Sequence, residues 1–582
     1  MRFVKASGRR AIPPGQASPG FAAFESARSS GLGQRESTKN MRAHPVELLI
    51  VGGGLGGVSA ASTAARLGIR IVLVEELDWL GGQLTAQGVP LDEHPWVETG
   101  VGSRSYAMFR HSIREYYLRH YPLTADARAH WPLNPGMGNV GTLCHEPKVA
   151  VRVIDDLLAP FESSGAITVL KRHALVDVHV DGDRIVGVTL RDLVTDVMKT
   201  IEAALVIDAT ETGELLSFGA IEHVIGAESV SETGELHALA KADPFDQQAL
   251  TWCFAVDYWP DEDHTIDRPR LYDEFRNLKL DFWPAPQFDW TVSDHVTHKP
   301  LQRSLFAGDS DAEYLFDLWH ARRIAYRRNF MPGAYGSDIT LANWPQMDYW
   351  LKPVIGVSDE ERVVALEEAR QFSLSFLYWM QTEAARHDGG YGYRGLRLRG
   401  DVLGTADGLA KQAYYREGRR IRSEFTILEQ HVGVEARAGF SGAENFFDSV
   451  GIGAYRIDLH PSTSRLRDTV DIDSYPFEIP LGALLPVRID NLLPACKNIG
   501  TTRITNGAYR VHSVEWSIGE AVGALAGFAL MSKLPPRAIR KSPDRLAEFQ
   551  ALLEDLGVPI RWPEYGALTP RSRRGYRPPM RQ

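Results

Sequence analysis

Cysteine is nearly missing: Cys144, Cys253 and Cys496 are the 3 thiols in 582 residues. They lie far apart, are odd in number and form no CxxC. That excludes a disulfide framework and a thiolate zinc site, no metal is expected, and a reducing cytoplasm fits best. Positive charge is not in excess either. Lys plus Arg number 64 against 74 Asp plus Glu, a net charge of -10, so no basic footprint for nucleic acid exists. No window approaches about eighteen uninterrupted apolar residues. The most apolar stretch, 518–531, contains Gly519, Glu520, Gly523 and Gly527 and is too short to cross a bilayer, so no membrane span is expected.

What remains is an ordinary globular composition, 44% hydrophobic and 24% charged, long enough for several domains woven from discontinuous segments. Residues 1–40 stand apart. They are rich in Arg, Ser, Gly and Pro, carry only Glu25 and Glu36 as acids, and have no apolar h-region. A transit peptide shares this character, as does a start misassigned ahead of Met41; the plainest reading is a disordered extension.

Residues 46–51 form a continuous apolar run ending in Gly-Gly-Gly, the pattern of a buried parallel strand. An Ala-rich helix over 55–67 follows, closed by Gly68, and then a second buried strand over 70–74 ending at Glu75. Gly52, Gly54 and Gly57 therefore make a GxGxxG between strand and helix. Gly52 makes the tight turn, Gly54 lets backbone approach a pyrophosphate, and Gly57 allows close helix–sheet packing, with Leu55 opening a helix end that favours phosphate. Glu75 is placed to accept ribose hydroxyls.

Further along, 148–158 reads as an amphipathic helix entered through Pro147. Runs at 173–180, 184–192 and 201–208 read as a β-meander returning to the parallel sheet, with an Asp181-Gly182-Asp183 turn. Helices are expected over 359–379, 405–421 and 511–530, and a short strand over 491–493.

Past Glu75 and Glu76 the chain runs Trp79-Leu80-Gly81-Gly82-Gln83. With this Gly-Gly segment, the sequence resembles the glutathione-reductase-type FAD fold and FAD-dependent oxidoreductases distantly related to fumarate-reductase flavoproteins. Two further elements carry the resemblance: Asp208-Ala209-Thr210-Glu211-Thr212-Gly213 after a strand, and Pro494-Ala495-Cys496-Lys497 followed by Gly507-Ala508-Tyr509-Arg510-Val511 before a long helix. It implies noncovalent FAD. Gly81, Gly82, Gln83, Val176, Asp208, Ala209, Thr210, Cys496, Lys497, Arg510 and Val511 join Gly52, Gly54, Leu55, Gly57, Glu75 and Glu76 as cofactor-binding candidates.

The expected fold is α/β: a Rossmann-like FAD-binding domain of parallel sheet plus β-meander, with an inserted α+β substrate domain. The FAD domain is assigned to 46–84, 141–222 and 481–530, the substrate or cap region to 85–140 and 223–480, and a peripheral tail to 531–582. The absence of a CxxC beside the flavin disfavours a disulfide reductase, and no second strand–GxGxxG–helix provides an NAD(P)H domain. Cys496-Lys497 replaces the Gly-Asp of many flavin hydroxylases.

Catalytic candidates are His145 as an acid or base, with capping or packing as the alternative, and His512 at the start of the long helix expected over 511–530, with plain solvation as the alternative. Arg416 and Arg420 share a face of the expected 405–421 helix and could clamp a carboxylate; a solvated salt-bridged face explains such a run too. His460 is a further candidate. The 13 tryptophans could wall a pocket or pack a core. These residues suit hydride transfer from a small organic substrate to FAD, reoxidised by oxygen or a separate acceptor. A flavin monooxygenase using NAD(P)H and a non-redox flavin-binding protein stay as alternatives.

Overall fold

The computed structural model describes residues 46–306, 317–466 and 468–563. The expected extension at 1–40 lies outside the described residues, as does the end of the tail. Strand β1 (Val46–Val51), helix α1 (Leu55–Arg66) and strand β2 (Ile71–Glu75) form where the sequence places them, and Gly68 turns the chain at φ +83°. A long helix, α2 (Arg104–His120), occupies part of the 85–140 stretch, for which no helix is expected from the sequence; it starts on Ser103, whose hydroxyl accepts the Tyr106 N–H. Its face of Tyr106, Phe109, Ile113 and Tyr117 is apolar, but Arg110 and Arg114 are buried on it too, which masks the period.

Helix α3 (Pro147–Ser163) leads into β3 (Ile167–Lys171), a strand the sequence reading missed. The meander is β4 (His173–Asp181), β5 (Arg184–Asp192) and β6 (Met198–Ile201), and β7 (Ala203–Asp208) returns to the parallel sheet. The single run expected over 201–208 is thus two strands, broken at Glu202. With β13 introduced below, the parallel sheet has the order β13-β7-β1-β2-β3, and Val51 pairs with Asp208, which sets the two cofactor-facing turns side by side.

On the other side lies a four-stranded antiparallel sheet. It comprises β8 (Phe254–Tyr258), β9 (Arg323–Ala325), β10 (Ile339–Ala342) and β11 (Leu396–Leu398), in the order β9-β10-β8-β11. Helix α4 (Asp359–Thr382), whose Ser358 and Glu361 form a capping box, meets this sheet through Gln381, whose amide donates to Leu396 O at 2.8 Å. The helix expected over 405–421 does not form. Most of this segment is extended or turned: Phe254 bridges Leu409, Thr251 bridges Tyr414, and Arg420–Ile421 pairs with His223–Val224. Backbone pairing offered by neighbouring strands overrides its modest helix propensity.

The chain closes through β12 (Ile457–Leu459), β13 (Leu492–Pro494), α5 (Arg503–Tyr509) and α6 (His512–Ser532). Helix α6 is 21 residues and apolar enough by composition to cross a membrane, but 83% of the qualifying window is buried inside the protein, the situation of a core helix. Small residues let it lie directly on α1. A Cβ on Gly519 would stand 2.8 Å from the Gly56 carbonyl carbon, and one on Gly523 2.8 Å from Ala60 Cα. This contact locks α6 to the phosphate-binding end of the first βαβ unit.

Candidate cofactor and active site

The turn after β1 has no room for side chains. Gly52 takes φ +103°, and a Cβ there would lie 2.5 Å from Thr210 N and closer still to the Ala209 carbonyl. A Cβ on Gly57 would run into the Gly52 carbonyl, and one on Gly82 would stand 2.9 Å from Gly54 Cα. Three backbone segments, 52–57, 81–82 and 209–210, therefore converge, held in part by the Gly81 N–H donating to Gly53 O at 2.7 Å. Helix α1 begins at Gly54 with no side-chain cap, so its first N–H groups remain available to a ligand except Gly56, which donates to Glu515 Oε1 at 3.1 Å.

A cleft opens over these turns, and its lining includes Gly52, Gly54, Glu75, Glu76, Gly82, Ala209 and Thr210. At its far edge Glu75 accepts the Gly53 and Leu77 N–H groups, both at 2.8 Å. Burial pushes its carboxyl up to about 8 against those two bonds. Sequence reasoning did not place His173, Leu175, Glu211, Gln412 and Tyr415 on the cleft wall, yet all five line it.

A second polar cluster lies behind the Gln412–Arg416 segment. His460 follows β12, with Nδ1 2.6 Å from Asp348 Oδ2 and Nε2 3.6 Å from Asp458 Oδ2. Asp348 Oδ1 also takes the Thr251 hydroxyl at 3.0 Å and Arg416 Nη2 at 3.2 Å. Asp458 faces Arg510 Nη2 at 3.5 Å, and Arg510 Nη1 donates to the Tyr414 hydroxyl at 2.8 Å. His295 stands edge-on to His460, ring centres 6.0 Å apart.

Burial and Arg416 pull the His460 pKa down, but Asp348 and Asp458 outweigh them, and it ends above its ordinary value. Burial lowers His295. Asp458, against its burial, is held far below the usual carboxylate range by His460 and Arg510. The cluster joins the cleft through one chain segment and one residue. Gln412 and Tyr415 line the cleft while Tyr414 and Arg416 reach the cluster, and the Arg510 carbonyl accepts the Gln83 amide at 3.2 Å.

Residues 47–553 match the family described as FAD dependent oxidoreductase. The chain belongs to that family. FAD is its cofactor: the glycine turns and the remaining free N–H groups of α1 offer donors to a diphosphate, and Glu75 offers a carboxylate to ribose hydroxyls.

No curated protein matches the sequence. Among solved structures, the geranylgeranyl bacteriochlorophyll reductase-like protein from Thermoplasma acidophilum is similar over 88% of this chain and 84% of its own, at 9% identity and TM-score 0.32. L-proline dehydrogenase from P. horikoshii is similar over 31% of this chain at 15% identity and TM-score 0.18. The myxobacterial chondrochloren halogenase CndH is similar over 39% at 18% identity and TM-score 0.21. The chain spans 25% and 46% of the length of these last two.

Several expected cofactor residues are not among those that line the cleft. Leu55 and Gly57 form the first turn of α1, Gln83 braces the start of α6, and Val511 is the N-terminal flanking residue of α6. Cys496 is buried, and burial drives its thiol well above the usual range. Lys497 Nζ is ion-paired with Glu211.

Two assignments change. The Asp208 carboxylate is fully buried and accepts Thr210 N–H and hydroxyl at 3.0 and 2.7 Å, so it shapes the turn rather than meeting FAD. Val176 sits at a register shift in β4 and is not on the cleft wall; His173 and Leu175, on the alternate face, are.

The catalytic candidates separate. His512 Nδ1 accepts the Asp92 N–H at 3.1 Å and its Nε2 meets Val89 O at 3.2 Å, while burial drives its pKa to about 3, so it is a neutral structural residue. His145 is likewise buried, with Nδ1 3.0 Å from Glu146 O and a pKa lowered by burial to about 4. Arg420 is fully buried between Glu228 and Glu417, at 2.9 and 3.4 Å, and without the expected helix it shares no face with Arg416. Only Arg416 enters the His460 cluster.

Proposed function

We propose that this enzyme oxidises a small organic substrate by hydride transfer to noncovalently bound FAD, with oxygen or a separate carrier completing the cycle, and that His460 takes the proton. Bound FAD supplies the two-electron acceptor. The observation that carries the reading is the Asp348–His460 pair at 2.6 Å, linked through Asp458 and Arg510 to the segment entering α6. Asp348 fixes the ring with Nδ1–H donating, which leaves Nε2 as the proton acceptor. Arg416 anchors Asp348, and Arg510 holds Asp458 ionised, so the site stabilises the imidazolium that forms.

The test is anaerobic mixing of the holoenzyme with small alcohols, amines and hydroxy acids, following flavin absorbance. One of these classes bleaches the flavin without any pyridine nucleotide, and His460→Gln slows that step by about 10²–10⁴-fold. Bleaching at the wild-type rate in His460→Gln overturns the assignment of the base. Reduction by NADH or NADPH alone would favour a monooxygenase or reductase cycle.

A further inference from the structure

Two carboxylates line the space that the phosphate-binding glycines leave open. Glu515 Oε1 accepts the Gly56 N–H at 3.1 Å in the first turn of α1, and its Oε2 takes the Gln83 amide. A Cβ on Gly54 would lie 3.0 Å from Glu515 Oε1 and 3.3 Å from Glu211 Oε1. Glu211 is compensated by its ion pair with Lys497. Glu515 is 1% exposed and has no cation within ion-pair distance among the described residues. The fingerprint directs the cofactor's diphosphate, with about two negative charges, to this same helix end.

We propose that Glu515 holds the α1 N-terminus in the cofactor-free chain and accompanies bound FAD as a neutral acid, so that FAD binding takes up one proton at this side chain. The groups facing it are Lys497 and Cys496 after β13, Glu211 after β7, the Gly56 N–H of α1 and the Gln83 amide; on α6 itself, His512 is neutral. Burial raises the Glu515 carboxyl, Lys497 opposes and Glu211 reinforces, and the net direction is upward before any cofactor arrives. A diphosphate at the same helix end raises it further. Between the two values the FAD-bound form carries one more proton than the free form, so affinity falls as pH rises, by up to about tenfold per pH unit.

The test is FAD titration of the full-length chain stripped of cofactor, by flavin fluorescence, from about pH 6 to 9.5, with calorimetry in buffers of different ionisation enthalpy. The wild type is expected to weaken with rising pH and to take up close to one proton within that range. Glu515→Gln, which keeps the hydrogen-bonding shape, is expected to bind tighter than wild type at the alkaline end and to lose the proton uptake that belongs to this side chain, the remaining pH dependence being that of Glu75, whose carboxyl burial lifts to about 8 in the same cleft. Glu211→Gln keeps the uptake.

A pH-independent wild-type Kd without proton uptake overturns the proposal, as does an unchanged slope in Glu515→Gln. If Glu515→Gln does not fold, as judged by its melting curve, calorimetry of the unaltered chain decides. None of these readouts involves turnover, so they stand or fall separately from the dehydrogenase reading.

Discussion

Replacing Gly52 by Ala tests the cradle directly. The residue sits at φ +103°, where an L side chain costs about 1–2 kcal/mol. The new Cβ would also stand 2.5 Å from Thr210 N and nearer to the Ala209 carbonyl, both backbone atoms on the end of β7. That strand cannot move freely, because Val51 and Asp208 are paired across the sheet. Overpacking against fixed atoms adds about 1–3 kcal/mol, for about 2–5 kcal/mol in all.

Half of this expressed as displacement of the 52–54 turn would weaken FAD about tenfold or more, since about 1.4 kcal/mol is a factor of ten. Gly68→Ala is the control. Gly68 also has a positive φ, +83°, but a Cβ there meets nothing within 4 Å, so it should cost about 1–2 kcal/mol and leave FAD affinity alone. Thermal unfolding of the cofactor-free proteins and FAD titration separate the two. Equal melting temperature and FAD Kd in Gly52→Ala and wild type would refute the reasoning.

Asp348→Asn removes the main anionic partner of His460, whose pKa lies above its ordinary value; substrate oxidation, which needs the neutral ring, should rise with pH in the wild type, and its inflection should move to lower pH in the variant. An unshifted inflection in the reductive half-reaction would contradict this. Burial would raise Glu98, but Arg110 and Arg114 overcome it and hold the carboxyl at about 2. A depressed carboxylate stabilises the fold above its unfolded value near 4.5, and that contribution is lost as pH falls toward 2. Glu98→Gln should thus cost about 2–4 kcal/mol in denaturant unfolding at neutral pH, with the difference shrinking in acid. Arg420→Met removes the ion pairs to half-buried Glu228 and buried Glu417, leaving Glu417 to Arg503 at 3.7 Å, and should cost about 3–5 kcal/mol of stability, while kcat of the folded fraction stays near wild type; a selective loss of kcat would return Arg420 to the active site.

The cofactor half was readable because its constraints are local. GxGxxG, the following helix and Glu75 lie within 24 residues; Gly52 and Gly57 answer backbone contacts that leave no room for a side chain, and Gly54 faces the carboxylates of Glu515 and Glu211. The active-site half was not, because Thr251, Asp348, Arg416, His460 and Arg510 come from five separated segments joined only by the fold. Arg416 and Arg420 illustrate the difficulty. Their spacing suits a helix, but the segment borrows hydrogen bonds from neighbouring strands and sends them to different places. Glu515 left a weak signal: an acid one turn ahead of Gly519 and Gly523, on the stripe where α6 otherwise needs small residues to meet α1.

The most direct test of the account is the absorption spectrum of the purified protein before and after acid precipitation, followed by anaerobic addition of NADH and NADPH. The account predicts flavin bands that leave with the acid supernatant and, in the intact protein, do not bleach with either nucleotide. A colourless protein that FAD cannot reconstitute, or a flavin that pyridine nucleotide reduces at once, would contradict it.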